Sequence, residues 1–301
     1  MSPEGRNAMT KNIKKPLISV IMPVYNPGVF LAGAIDSILA QIYQNFEFII
    51  VDDASTDGSW KTIRSYARTD KRIRCYRNSI NLGVSLTSNI AISKAKGKIL
   101  ARMDSDDISS PDRLQKQLRF LQKHPKVILV GGQCTIIDDS GRTIGSKSFP
   151  LSPHRALMDM LFWAVPVQQG YMMINRSKLP KNFKWYQANK SSAEEIDLFF
   201  NLSRYGEFAN LSENLYFYRQ IPGSLSHLNP KKTFYLTLQS RLIAVKNGFR
   251  PSAKAWALNF AQIFLVALLP ASAIYNLWYL FRGVSQFKAR FVNSSFANTK
   301  A

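Results

Sequence analysis

Three carboxylates stand close together at the end of a short apolar run. Asp104, Asp106 and Asp107 directly follow the run K-I-L-A-R-M at 98–103. Like charges this close repel one another unless a cation lies between them, and carboxylate oxygens are ligands that Mg²⁺ and Mn²⁺ prefer. The spacing therefore indicates a divalent metal site. The alternative is a solvated acidic turn before a helix, since the sequence S-P-D at 110–112 is typical of a helix start.

A second pair of acids, Asp52 and Asp53, follows the apolar run F-E-F-I-I-V at 46–51. Between residues 17 and 125, runs of this kind alternate with segments whose apolar residues recur at helical spacing, such as 30–41 and 84–95. This alternation predicts an α/β fold with a mainly parallel sheet and helices on both faces. Ligands of such sheets bind at the carboxyl ends of the strands, so we expect one crevice to hold both acidic clusters.

The second half of the sequence has less regular elements. The segment I-I-D-D-S-G-R at 136–142 predicts a hairpin, in which Asp138 and Asp139 are turn residues. The pattern also predicts helices at 152–163 and 191–205 and strands at 170–174 and 210–219.

The overall charge indicates an anionic partner. The 301 residues include 40 Lys and Arg against 19 Asp and Glu, a formal net charge of +21. Nucleic acid, anionic lipid and phosphorylated substrates all fit this charge, but no nucleic-acid-binding signature is present and the basic residues are spread over the chain. Two isolated cysteines indicate a reducing compartment, and three scattered histidines argue against a zinc site.

A long uncharged segment lies near the C-terminus. No Asp, Glu, Lys or Arg occurs in the 27 residues 255–281, and about 20 apolar residues suffice to cross a bilayer. Polar residues and Pro270 interrupt the segment, and basic residues flank it on both sides, which conflicts with a single membrane span. We therefore expect a bent, re-entrant or surface-lying helical pair at an anionic membrane surface. The alternative is an amphipathic extension buried against the globular domain.

Five motifs, in this order, resemble the family 2 glycosyltransferases. They are S-V-I-M-P-V-Y-N at 19–26, F-I-I-V-D-D-A-S-T-D-G-S at 48–59, N-L-G-V-S at 81–85, A-K-G-K-I-L-A-R-M-D-S-D-D at 95–107 and S-P-D-R-L at 110–114. The resemblance extends from about residue 17 to 227. It implies the Rossmann-like GT-A fold, a nucleotide-sugar donor, Mn²⁺ or Mg²⁺, and inversion at the anomeric carbon. We expect a disordered basic tail at 1–15, a GT-A domain at 16–229, and a helical, apolar, membrane-associated region at 230–301.

The resemblance also implies a nucleotide-binding role for the residues after the first two strands. Pro23, Val24 and Tyr25 would form the loop that binds the nucleobase, with Tyr25 against the base; the alternative for Tyr25 is a core tyrosine. Asp53 would accept a hydrogen bond from the imide N–H of the base, and Asp52 would orient the loop.

The segment D-S-D at 104–106 is similar to the DxD motif of the family. By this resemblance Asp104 would reach the ribose and Asp106 would ligate the metal that bridges the two phosphates, with Asp104 as a further candidate ligand. Asp107 would hold the metal ligands in place without contacting the metal, or cap the next helix.

The family's catalytic base lies in an E-D pair at the start of a helix, which Glu194 and Glu195 match with Glu in place of Asp. Glu195 shares a stripe with apolar residues at i+3, i+4 and i+7, so it is expected to face inward. The residue pattern alone favours a capping box between Ser192 and Glu195, whereas the resemblance favours the base. The extra methylene of Glu195 leaves Glu194 and Asp197 as alternative bases.

We therefore predict an inverting, metal-dependent glycosyltransferase of cell-surface polysaccharide synthesis. It would move a sugar from a nucleoside-diphosphate donor to a hydroxyl of a glycan or lipid-linked acceptor, at the cytoplasmic face of the bacterial inner membrane. Two other functions stay open: a nucleotidyltransferase, and a catalytically inactive, glycosyltransferase-like membrane scaffold. A dinucleotide-dependent oxidoreductase is disfavoured because the turn after the first strand lacks G-x-G-x-x-G.

Overall fold

The computed structural model describes residues 17–187, 193–220, 230–270 and 273–274, so the predicted tail at 1–15 lies outside the described residues. Within them the strands are β1 (Ile18–Val24), β2 (Phe46–Asp52), β3 (Ile73–Arg77), β4 (Ile99–Arg102), β5 (Ile108–Ser109), β6 (Val127–Ile137), β7 (Thr143–Lys147), β8 (Met173–Asn175) and β9 (Glu207–Arg219). The α-helices are α1 (Phe30–Leu39), α2 (Ser59–Thr69), α3 (Gly83–Lys94), α4 (Arg113–Lys123), α5 (His154–Leu161), α6 (Glu194–Leu202), α7 (Pro230–Lys246) and α8 (Ala253–Leu268).

The strands form one sheet in the order β3-β2-β1-β4-β8-β6-β9-β5, and β7 pairs with β6. β1 lies between β2 and β4 and is parallel to both, and β3 is parallel to β2. Every residue of β1 and β2 is buried, as expected for central strands with both faces covered. The predicted parallel sheet is present in this half.

The other half of the sheet is mixed. β8 runs antiparallel to both β4 and β6, β6 and β7 form the hairpin that the sequence predicts, and β9 is parallel to β6. The expectation of a mainly parallel sheet is therefore wrong for this half. The physical reason is that the regular alternation of strand and helix ends after α4, where β6 leads directly into β7, and antiparallel neighbours need no crossover helix.

The helices beside the parallel strands each bury one apolar face. In α1 the buried residues are Leu31, Ala34, Ile35 and Ile38, as the helical spacing predicts. α2 begins at Ser59, directly after Gly58, which adopts φ 90°.

The C-terminal helices α7 and α8 pack beside α5 and α6. Trp256 of α8 stacks edge-on against Phe162, with 4.8 Å between ring centroids, and the N–H of Ser252 donates to Asp159 Oδ1 at 2.9 Å. In the part of the chain that the structure describes, no helix has the length and apolar character needed to span a bilayer. α8 covers only the first part of the uncharged segment 255–281.

Candidate active site

The two acidic clusters lie at the same edge of the sheet. Val24 pairs with Asp52 at the ends of β1 and β2. Just before Asp104, the N–H of Met103 donates to the carbonyl oxygen of Ile21 at 3.0 Å. Because β1 lies between β2 and β4, the carboxyl ends of all three strands meet there, and the structure brings the two clusters together.

The loop after β1 is tied to the loop after β2. The N–H of Asn26 donates to Ser55 Oγ at 3.1 Å, and the N–H of Thr56 donates to Asn26 Oδ1 at 2.8 Å. Asn26 has φ 48°, a left-handed conformation in which Asn is enriched among non-glycine residues. The two loops therefore form one rim of the crevice.

The three residues proposed to hold a nucleobase differ in exposure. Pro23 and Val24 are buried at the end of β1, whereas Tyr25 is 51% exposed. The alternative of a core tyrosine is therefore wrong. The ring of Tyr25 is accessible at the rim, and its contact with a base stays a prediction.

Asp53 is only 2% exposed and accepts three hydrogen bonds. Its Oδ1 accepts from Asn78 Nδ2 at 2.7 Å and from the N–H of Leu82 at 2.9 Å, and its Oδ2 accepts from the N–H of Gly83 at 2.8 Å. Gly83 begins α3 with φ 82°, so this carboxylate fixes the turn of the N-L-G-V-S motif. Recognition of a base by Asp53 stays a prediction beside this structural role.

Asp52 is fully buried at the end of β2. Its Oδ2 lies 3.0 Å from Nε of Arg77, and Arg77 Nη2 donates to the carbonyl oxygen of Ser55 at 2.9 Å. Asp52 thus holds Arg77 against the loop after β2, and its role in orienting the nucleobase-binding loop stays a prediction.

The carboxylates after β4 have unlike surroundings. Asp104 is partly exposed, and its Oδ1 accepts from Nε and Nη2 of Arg102, both at 3.2 Å. Burial, and then the charge of Asp104, raises the pKa of Asp106 to about 6. Asp107 is buried, and its Oδ1 accepts from the N–H of Arg219 at 2.6 Å. Asp107 therefore fastens the end of β9 to this edge, and it contributes no side-chain cap to α4.

Asp104 and Asp106 suit a divalent cation. A cation between them would offset the repulsion that helps to raise the pKa of Asp106. Among the described residues, no three His, Cys, Asp or Glu side chains are grouped so as to hold a metal by themselves. Mg²⁺ is commonly held by one or two carboxylates together with substrate phosphates and water. The donor set therefore fits the metal that the sequence predicts, provided that a diphosphate supplies further oxygens.

Arg102 is a site residue that the sequence interpretation missed. It is 3% exposed, and its Nη1 donates to Ser88 Oγ at 3.0 Å and to Tyr186 Oη at 3.2 Å. Burial acts to lower the pKa of Arg102, but its interactions with Tyr186, Asp104 and Glu194 raise it above the ordinary value. The guanidinium therefore stays cationic and holds Asp104 in place.

Two more residues that no local pattern marks shape the surroundings of Asp104. A Cβ added to Gly170 would collide with Asp104 Oδ2, so only glycine lets this loop close against the carboxylate. Tyr186 Oη accepts from Gln169 Nε2 at 3.1 Å and also contacts Arg102. Arg102 itself carried a signal, namely an arginine inside an otherwise apolar strand two residues before the first acid.

The first residues of α6 lie near Arg102. Glu194 is close enough to Arg102 to help raise its pKa against the effect of burial, so the start of α6 lies in the neighbourhood of the D-x-D motif. α6 begins at Glu194, with Ala193 at the N-cap position and φ 58°. Glu195 is thus the second helical residue. A capping box requires the Glu at the third. Ser192, the other residue of that predicted box, lies outside the described residues.

The two remaining candidate bases differ in their surroundings. Glu195 is half-buried, whereas Asp197 is buried on the side of α6 that faces α7. There Asp197 lines a cavity of about 300 Å³ together with Ser240 and Ala244. Asp197 therefore lies towards α7, whereas Glu194 lies towards Arg102.

Comparisons with known proteins assign the chain to a family of glycosyltransferases. Residues 19–183 match the family described as Glycosyl transferase family 2, and the chain belongs to this family. The putative glycosyltransferase EpsE of Bacillus subtilis is 36% identical over 209 residues, which are 68% of this chain and 73% of EpsE. The putative teichuronic acid biosynthesis glycosyltransferase TuaG of the same organism is 39% identical over 109 residues, 36% of this chain and 43% of TuaG.

Solved structures of glycosyltransferases share the fold. S. aureus TarS 1-349 in complex with UDP-GlcNAc superposes with a TM-score of 0.65 and 18% identity, over 80% of this chain and 70% of that one. The mannosyltransferase PcManGT from Pyrobaculum calidifontis, in complex with GDP-Man and Mn²⁺, gives a TM-score of 0.58 and 20% identity, over 88% of this chain and 80% of that one. At this identity the likeness shows the fold alone, which is the GT-A-like fold that the motifs implied.

Proposed function

We propose that this protein is an inverting, metal-dependent glycosyltransferase that moves a sugar from a nucleoside-diphosphate donor to a hydroxyl of a glycan or lipid-linked acceptor. The observation that carries the proposal is Asp104, held by Arg102 at the carboxyl edge of the sheet where the two acidic clusters lie together. Family membership supports sugar transfer. The name of TuaG, which refers to teichuronic acid biosynthesis, supports a role in cell-surface polysaccharide synthesis.

In this proposal the crevice binds the donor. TarS and PcManGT were solved with a nucleotide sugar, which supports the same ligand class here. Tyr25 would stack on the base from the rim, and Asp53 would meet the imide N–H of the base. Asp104, held by Arg102, would orient the ribose, and Asp106 would ligate Mn²⁺ or Mg²⁺, with Asp104 as a further ligand. When bound, the cation would stabilise the negative charge that develops on the departing diphosphate.

Glu195 is the proposed base. Its carboxylate would take the proton of the acceptor hydroxyl as that oxygen attacks the anomeric carbon, and the bond to the diphosphate breaks on the opposite side. Inversion requires this arrangement, so the base and the metal carboxylates have to flank the sugar. Glu194 is the alternative base, and Asp197 is disfavoured by its place beside α7.

We place this reaction at the cytoplasmic face of the bacterial inner membrane, with an anionic membrane surface and no nucleic acid among the partners. The bacterial relatives and the net charge of +21 support this placement.

The test is a panel of nucleotide sugars with Mn²⁺ and membrane-extracted acceptor, read out by the product that is released. A glycosyltransferase releases a nucleoside diphosphate, a nucleotidyltransferase releases pyrophosphate, and an inactive scaffold releases neither. Calorimetry with UDP, GDP and dTDP, with Mn²⁺ or with EDTA, measures the binding step separately. Tight binding that is insensitive to EDTA would contradict the metal role of Asp106.

A further inference from the structure

The outer face of α8 is apolar, whereas a helix at the surface of a globular domain normally turns a polar face outward. Phe260, Phe264 and Leu268 are 60%, 64% and 66% exposed, and Leu265 is 37% exposed. Residues four apart lie on one side of a helix, so these side chains form one stripe, which exposed alanines at 257 and 261 complete. We call this stripe the outer face of α8.

The inner face of the same helix makes buried polar contacts beside its apolar packing. Arg241 of α7 is 3% exposed, and its Nη1 donates to Asn259 Oδ1 at 2.9 Å and to Gln262 Oε1 at 3.0 Å. Gln262 in turn donates from Nε2 to the carbonyl oxygen of Trp163 at 2.6 Å. These contacts fix the rotation of α8 about its axis. The apolar stripe is therefore held outward by buried hydrogen bonds.

The part of the sequence that forms α7 and α8 is basic. From residue 214 to the C-terminus the sequence contains 11 Lys and Arg and no Asp or Glu. The cations that flank the start of α8, Lys246, Arg250 and Lys254, are exposed. A second copy of this chain would bring the same positive charge to the face and would be repelled. An anionic surface would be attracted.

We propose that α8 docks in the plane of an anionic lipid bilayer, with Phe260, Phe264 and Leu268 among the acyl chains and the flanking cations at the headgroups. An apolar stripe with basic neighbours is the pattern of helices that lie in a bilayer interface. One side of α8 packs on the protein through Arg241 and the carbonyl of Trp163, so the proposed contact involves only its outer face and is interfacial. It rests on the packing and charge of α7 and α8 and does not depend on the transfer reaction.

Vesicle co-sedimentation of the full-length protein tests this surface. The probes are vesicles of phosphatidylcholine alone and of phosphatidylcholine mixed with phosphatidylglycerol. We expect the protein to partition onto the anionic vesicles and to release partly as salt is raised. The double variant Phe260→Ser/Phe264→Ser should bind them about 100-fold less, since each lost phenylalanine contact costs about tenfold or more.

Matched controls distinguish binding through the outer face of α8 from non-specific binding by exposed apolar residues. Ile42 and Leu151 are 56% and 61% exposed elsewhere on the molecule, so Ile42→Ser/Leu151→Ser should bind the vesicles as the parent does. The neutralising variant Arg250→Gln/Lys254→Gln should weaken binding to anionic vesicles by about fivefold for each charge removed. Thermal unfolding should show that all variants are folded.

Three outcomes would overturn the proposal. They are a parent protein that does not sediment with anionic vesicles, a Phe260→Ser/Phe264→Ser variant that sediments as well as the parent, and a parent that light scattering shows to be a dimer which this variant converts to a monomer. The last outcome would assign the outer face to a second copy of the chain. A protein that binds vesicles through this face but transfers no sugar would contradict the proposed function and leave the docking surface standing.

Discussion

The buried acid near the start of β2 and the acids that follow β4 have opposite electrostatic surroundings. At the amino edge, Glu47 of β2 is 7% exposed and surrounded by donors. Its Oε1 accepts from Ser19 Oγ at 2.6 Å and from the N–H groups of Lys96 and Gly97 at 2.5 and 3.3 Å, and its Oε2 accepts from Arg74 Nη1 at 2.7 Å. Burial acts to raise the pKa of Glu47, but these hydrogen bonds outweigh it and lower the pKa.

After β4, at the carboxyl edge, the three acids Asp104, Asp106 and Asp107 compete for few donors. Burial and the neighbouring charges raise the pKa of Asp106 to about 6 and raise that of Asp107 well above its ordinary value. The comparison teaches that a carboxylate whose charge is satisfied by the fold stabilises the fold. A carboxylate whose charge is left partly unsatisfied costs stability and is free to serve a ligand.

The largest expected effect is at the proposed base. Glu195→Gln keeps the size of the side chain and removes the proton acceptor, so we expect the transfer rate to fall by about 10²–10⁴. Mn²⁺-dependent nucleotide binding and the melting temperature should stay near the parent values. Steady-state rates, calorimetry and thermal unfolding measure the three quantities.

Two neighbours of Glu195 serve as comparisons for this variant. Glu194→Gln tests the alternative base directly. A Glu195→Gln variant that turns over at the parent rate, or a folded Asp197→Asn variant that is inactive, would move the base to another carboxylate.

A second large effect is expected at Asp106. Asp106→Asn removes a metal ligand, so transfer should fall by about 10²–10³ and nucleotide binding should lose its dependence on Mn²⁺. Because the substitution also removes a repulsive buried charge, the melting temperature should be equal to or higher than that of the parent. Asp139→Asn, in the exposed turn between β6 and β7, is the matched control and should change neither quantity. A marked loss of stability in Asp106→Asn would place Asp106 with the structural acids.

The parallel half of the sheet could be predicted from local sequence, whereas in the mixed half only the hairpin of β6 and β7 could. The runs that became β1 and β2 are apolar throughout because both of their faces are covered, and Asp52 and Asp104 follow directly after such strands. No local pattern marks Gly170 or Tyr186, which reach Asp104 and Arg102 through contacts distant in the chain. The antiparallel direction of β8 could not be predicted either, because the three residues of this strand carry no local sign of their direction.

Arg102 allows a smaller and more specific test of the carboxyl edge. Arg102→Lys keeps the positive charge but cannot hold Asp104 through Nε and Nη2 together, so we expect transfer to fall by about 10–100-fold. If Arg102 positions Asp104, the Mn²⁺ concentration for half-maximal activity should rise, which a loss of stability alone would not produce. An unchanged Mn²⁺ requirement would limit Arg102 to a packing role.

The amino edge should respond in stability and not in chemistry. Glu47→Gln places an amide against the guanidinium of Arg74. It also removes the negative charge that the surrounding hydrogen-bond donors stabilise. We expect the free energy of unfolding to fall by about 1.5–3 kcal/mol, while the folded enzyme transfers sugar at the parent rate. Denaturant unfolding and activity at low temperature measure the two. A loss of activity without a loss of stability would contradict the division between the edges.

The smallest effect is the pH dependence of that stability difference. Because the pKa of Glu47 is lower in the folded protein than in the unfolded chain, its contribution is fully present above the unfolded value of about 4.3 and is lost as the pH falls through the folded pKa. The difference between the parent and Glu47→Gln should therefore be constant from about pH 8 to pH 5 and shrink below about 4.3. Asp106 and Asp107 titrate in both proteins, so their opposite effect cancels in the difference. A difference that is unchanged at about pH 3 would mean that packing, and not the charge of Glu47, holds this edge together.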